Sequence, residues 1–168
     1  MDTKRGQDTA MTLLAADGPY PDLSERLNLF GQFVGSWDIE SVEYIDGGTR
    51  NLAGEWHFAW VLGGRGVQDV LFDKGTPPDQ RGTTLRCYDE RKGVWHVTWM
   101  HPFDGVFVNL VARATEDGIL LENTASDRMR RWSFSNIRPD SFVWRGHASF
   151  DSGATWVLQQ VMQARRIR

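Results

Sequence analysis

Cysteine is almost missing from these 168 residues: Cys87 stands alone, so no intrachain disulfide is available and the chain must be held by packing and hydrogen bonds. That fits a reducing compartment. Long apolar runs are missing too, and nothing approaches the roughly 20 residues that a membrane-spanning helix needs. The apolar stretch 10–16 follows Lys4 and Arg5 but sits at the lower limit for a signal sequence, and Asp17 breaks the small-residue cleavage pattern. The sequence therefore reads as cytoplasmic. Nor is there an excess of basic charge: 19 Lys and Arg against 22 Asp and Glu give a net charge of -3, which leaves no field to hold nucleic acid or an anionic membrane. Metal-ligand patterns are lacking, since there is no Cys pair and His96 and His101, five apart on one strand pattern, fall on opposite faces. No metal site is expected. A Gly-x-Ser-x-Gly nucleophile elbow is absent. Gly63-Gly64-Arg65-Gly66 opens no helix and has no following Lys-Ser/Thr, so it reads as a hairpin turn and not a phosphate loop.

What the chain has in quantity is aromatic side chains: eight Trp, nine Phe and three Tyr. Each buried Trp brings a large area and an N–H that needs an acceptor, so this load points to an aromatic core or an aromatic-lined cavity. Residues 1–20 are polar or small and end in Gly18-Pro19-Tyr20-Pro21; they read as a flexible tail ahead of a single domain over 21–168. Leu23, Leu27, Phe30 and Val34 recur at helical spacing, with Asp22 or Ser24 as the cap, and predict a short helix that serves the strands after it as a lid or plug. Beyond Gly35 the period becomes two. About ten strands are predicted, over 36–46, 52–62, 65–73, 82–89, 94–101, 106–115, 119–125, 129–137, 141–150 and 154–164, joined by turn signals such as Asp46-Gly47-Gly48 and Asp117-Gly118. Short strands in up-and-down order with no crossover helix predict an all-β chain closed into an antiparallel barrel.

A short helix, then Gly35-Ser36-Trp37 opening the first strand, then an Arg-rich last strand resembles the lipocalin-type (calycin) barrels. That resemblance implies a Trp37 packed at the closed end by a late arginine, Arg165 or Arg166. Trp60-Val61-Leu62-Gly63-Gly64-Arg65 and Tyr88-Asp89, followed by Val97-Thr98-Trp99-Met100, are similar to a bacterial family of lipocalin-like barrels of uncharacterised function, over about residues 30–165. The resemblance implies a fold and names no activity. Haem-binding nitrobindin-type barrels are more distant. Their Trp motif is longer and glycine-rich where this chain has Trp37-Asp38-Ile39-Glu40-Ser41, although His147 stands where their proximal ligand is implied. No cofactor is expected, with haem as the weaker alternative.

The predicted strands offer two interiors. In one phase Trp56, Phe58, Trp60, Trp95, Val97 and Trp99 face inward, with His101 at the rim, Arg86 and Tyr88 sharing the lining, and Asn109, Trp132, Trp144 and Gln160 on later strands. The other phase brings in Glu55, His57, Arg145 and His147, a charged set able to hold a carboxylate or act as acid and base. The aromatic phase is favoured, because the same tryptophans on the outside would form a large apolar patch. The expected function is binding of a small, largely apolar or aromatic molecule, with Trp56, Trp60, Trp99 and Trp132 as walls and Arg86, Tyr88, His101 and Asn109 fixing its orientation. The alternative is a cofactor-independent enzyme, a cyclase, isomerase or hydratase, with His101, His147, Glu55 or Tyr88 moving the proton. A third reading is an interaction module with an exposed Trp face. A homodimer is compatible with all three.

Overall fold

The computed structural model describes residues 9–123 and 128–168. Its strands are β1 (Ala15–Ala16), β2 (Gly35–Ile45), β3 (Gly48–Val61), β4 (Gly66–Asp73), β5 (Gly82–Asp89), β6 (Val94–His101), β7 (Val106–Thr115), β8 (Gly118–Glu122), β9 (Met129–Arg138), β10 (Ser141–Ser149) and β11 (Val157–Arg166). From β2 on, each strand pairs antiparallel with the next, and β11 returns to β2 from Gln160↔Glu43 to Arg166↔Trp37. The ring is closed by ten strands, as expected. β3 reaches back to Gly48, further than its predicted start. The predicted end of the seventh strand at 125 and residues 1–8 of the predicted tail lie outside the described residues.

Alternation decides which side chains enter the barrel. Along β3 the buried positions are Gly54, Trp56, Phe58 and Trp60, and along β6 Trp95 and Val97 are buried with Trp99 continuing the same face. The aromatic phase is the inward one.

One end of the ring is plugged by helix α1 (Ser24–Gly31), which buries Leu27 and Phe30 and hands the chain on to a buried Phe33. Neither Asp22 nor Ser24 caps α1 with its side chain; a 3-10 turn, Pro21–Leu23, leads into it with proline first, where the missing N–H costs nothing. Leu27 apart, the side chains that meet in the plug are aromatic. Phe33 lies 4.8 Å from Phe142 and 4.9 Å from Phe134, Phe30 lies 5.0 Å from Trp95, and Trp37 lies 4.7 Å from Phe142. Burying a tryptophan such as Trp37 removes about 150–250 Å² from water, roughly 4–6 kcal/mol before the entropy cost.

Of the two arginines proposed to cover Trp37, it is Arg166 that does so, its guanidinium 4.1 Å above the ring. It donates Nε–H to Pro139 O (2.8 Å), Nη1–H to Val34 O (2.8 Å) and Nη2–H to Gln32 O (2.9 Å). Trp37 Nε1–H donates to Phe33 O at 2.7 Å. Gly35 is part of this lock: its φ is +126°, and a Cβ there would sit 2.6 Å from Arg166 Nη1. Within the segment read as a tail, Ala15 and Ala16 pair with Val61 and Trp60, and Tyr20 N–H donates to Gly64 O at 3.1 Å. That stretch therefore runs along the plugged end.

Candidate functional site

Beyond the plug the barrel is hollow. A chamber of about 130 Å³ lies among Trp56, Leu71, Thr84, Arg86, Val97, Trp99, Leu121, Trp132, Phe134, Trp144, Gln160 and Met162. That volume is close to the roughly 150 Å³ that accepts a benzene-sized ring in a protein core. Leu71, Trp99, Gln160 and Met162 also border a mouth of about 200 Å³, whose remaining lining includes Ser41, Glu43, Asp73, Gln80 and His101. An apolar chamber thus opens through a polar rim.

Glycines set the depth of two walls. A Cβ on Gly82 would fall on the Trp99 ring, and one on Gly146 would meet the Trp144 ring at 2.5 Å, so each indole lies flat where a side chain would lift it. Trp132 lies 5.6 Å from Trp144, with the two ring planes tilted by 58°.

One wall carries a buried ion pair. Arg86 Nη2 lies 2.7 Å from Asp69 Oδ2, with the two side chains 2% and 0% exposed. Asp69 also accepts the Thr84 backbone N–H on Oδ1 (2.7 Å) and Trp56 Nε1–H on Oδ2 (2.7 Å). The carboxylate is well supplied with donors. Arg86 is not satisfied in return: its Nε and Nη1 are shielded from solvent and have no hydrogen-bond partner among the described residues. Phe30 and Phe58 flank the guanidinium with ring centres at 5.2 and 5.3 Å.

At the rim, Glu43 is held by Arg50. Burial pushes the Asp73 carboxyl above the usual carboxylate range, and Glu43 adds to the effect while Arg50 opposes it. His101 Nδ1 lies 3.1 Å from Asp104 Oδ2 without the alignment of a hydrogen bond.

Of the residues expected to line a site, Trp56, Arg86, Trp99, Trp132, Trp144 and Gln160 surround the chamber, and His101 stands at its mouth. Four others face inward but belong to the plug. Phe58 packs 5.8 Å from Phe33, Trp60 lies against Gly31 of α1, Trp95 meets Phe30, and Tyr88 accepts a hydrogen bond from Arg26 at 3.1 Å. The reason is that α1 fills the barrel to that depth. Asn109 is on the outer face, bonded to Thr98 at 2.8 Å between the buried Val108 and Leu110. Glu55 and His57 also sit outside, 2.9 Å apart, with His57 Nδ1 2.9 Å from Ser36 Oγ. His147 lies outside between the buried Gly146 and Ala148; burial, with Arg131 and Arg145 adding, holds its imidazole below the ordinary histidine range. From there it cannot ligate a group held in the chamber.

Sequence reasoning missed Asp69 in the chamber wall, and Glu43 and Asp73 at the rim. Asp69 left a signal. It shares the inward phase of β4 with Val67 and Leu71, an acid where the pattern calls for an apolar residue, next to a strand that carries Arg86 inward.

No protein-family model and no curated protein matches the chain. Among solved structures it is similar to Rv2717c from M. tuberculosis, at 17% identity over 85% of this chain and 98% of that one, with a TM-score of 0.62. It is also similar to the S-type phycobiliprotein lyase CPES from Guillardia theta, at 10% identity over 84% of this chain and 92% of that one, with a TM-score of 0.59. At such identities the likeness shows the fold alone. Among the described residues no helix is long and apolar enough to cross a membrane. The chain is a closed ten-stranded barrel, plugged by a helix at one end and hollow and aromatic towards the other.

Proposed function

We propose that this chain binds a small, largely apolar or aromatic molecule between Trp56, Trp99, Trp132 and Trp144, with Arg86 holding the molecule's polar group. The observation that carries this reading is the state of Arg86 in the chamber wall: two shielded nitrogens without a partner among the described residues. A core that only had to pack would gain by satisfying or removing such a donor, whereas a binding site keeps it for the ligand. Native mass spectrometry of freshly purified protein tests the reading. A co-purifying small mass, or a discrete one-to-one adduct with an added aromatic probe, is expected. A clean apo mass together with no adduct from a panel of benzene-sized probes contradicts it.

A second reading, proton transfer on a bound substrate, is favoured by the rim, where His101 and Asp73 border the same mouth. His101→Gln separates the two. A binding barrel keeps its affinity in that variant, and an acid–base enzyme keeps its affinity while losing turnover by orders of magnitude.

A further inference from the structure

Given that reading of the chamber, the charges around Arg86 narrow the chemistry of what it holds. A guanidinium offers five N–H donors in a plane. Here the structure engages one nitrogen, Nη2, with Asp69, and leaves Nε and Nη1 without a partner among the described residues. The positive charge, however, is already balanced. Asp69 sits 2.7 Å away, and no bulk water screens the pair, since both side chains are almost completely buried. What Arg86 lacks is hydrogen-bond acceptors, not a counter-charge.

These two needs point to different ligands. A carboxylate would supply acceptors but would add a second negative charge beside Asp69, in a chamber whose other walls are chiefly apolar. It would also have to pass Glu43 and Asp73 at the rim, where Arg50 is the cation engaged with Glu43. A hydrocarbon avoids the repulsion and leaves both nitrogens unmet. An uncharged oxygen acceptor on a flat ring meets one of the two nitrogens, which lie on different edges of the guanidinium, without adding a second negative charge.

We infer that the chamber selects an uncharged, planar aromatic molecule carrying a carbonyl-type acceptor, such as an aryl ketone or amide, over the carboxylate of the same shape. Asp69 is the positioning residue for this selectivity. It turns Arg86 from an anion receptor into a neutral donor by occupying its charge.

The test titrates the full chain with acetophenone and with benzoate at neutral pH, read by quenching of tryptophan fluorescence, and records the carbonyl stretch of bound acetophenone. Acetophenone is expected to bind at least about tenfold more tightly, a difference within reach of one hydrogen bond to a charged donor plus the avoided repulsion. Its carbonyl stretch should fall below the value in an apolar solvent. Asp69→Asn keeps the shape and removes the charge, so the preference should swing by about tenfold or more towards benzoate. Equal or tighter binding of benzoate by the unaltered protein overturns the inference and leaves the cavity reading standing, as does a carbonyl stretch unmoved from its apolar-solvent value. If neither probe binds, the inference falls, and native mass spectrometry with the wider panel decides the cavity reading separately. Should Asp69→Asn fail to fold, the comparison of the two probes on the unaltered protein still decides.

Discussion

Two arginines brace this barrel, one at each depth, and they are finished to different degrees. Arg166, at the plugged end, has each of its three nitrogens on a backbone carbonyl and its plane on Trp37. Arg86, deeper in the ring and far better shielded, has one nitrogen engaged and two without partners among the described residues. The more buried cation is the less satisfied one, which inverts what packing alone would select. The arginine at the plug is fully bonded, whereas the one in the chamber wall keeps two donors without partners among the described residues.

The largest expected effect comes from breaking the Arg86 pair. Asp69→Ala leaves a buried guanidinium with no counter-charge and deprives Trp56 Nε1–H and the Thr84 N–H of their acceptor, so unfolding in urea should show a loss of about 3–5 kcal/mol. Arg166→Ala comes next. It strips three carbonyls and the Trp37 face of their donor, but at a site water can reach, and about 2–3 kcal/mol is expected in the same measurement, with ligand affinity little changed. Gly82→Ala acts on the chamber side. The new Cβ lands on the Trp99 ring and tilts it into the chamber, costing about 1–2 kcal/mol of stability and weakening probe binding, an outcome Arg166→Ala should not share.

The smallest effect is at the turn after β10, where Asp151 accepts the Ser149 hydroxyl (2.7 Å), the Thr155 N–H (2.8 Å) and the Thr155 hydroxyl (2.6 Å), which hold its carboxyl down to about 2. A carboxylate depressed in the folded state stabilises fully above its unfolded value near 3.9 and loses that contribution as pH falls towards 2. An NMR titration of the Asp151 carboxyl should place its midpoint well below that of an ordinary aspartate. A midpoint near 4 would mean the 150–156 turn is not fastened as described.

The barrel and its phase were legible because tryptophan cannot be placed casually. Trp56 and Trp99 on period-two strands fixed the inward face, and Gly35-Ser36-Trp37 with a late arginine fixed the closed end. The division of the interior into plug and chamber was not legible. Phe58, Trp60 and Trp95 carry the same phase as Trp56 and Trp99, and only the depth reached by Phe30 and Phe33 on and after α1 separates them. Asn109 lies on the outer face, where the alternation of Val108, Leu110 and Ala112 puts it. Asp69 was overlooked because an acid in an apolar phase looks like a break in the pattern until the opposing Arg86 on β5 is known.

The division of the interior into plug and chamber can be read directly from the spectrum of the tryptophan indole N–H groups during titration with acetophenone. Saturable shifts are expected for Trp56, Trp99, Trp132 and Trp144, which wall the chamber, while Trp37 and Trp95 in the plug stay where they are. Shifts spread evenly over all eight tryptophans, or none at all, would contradict it: the hollow half would then be core like the rest.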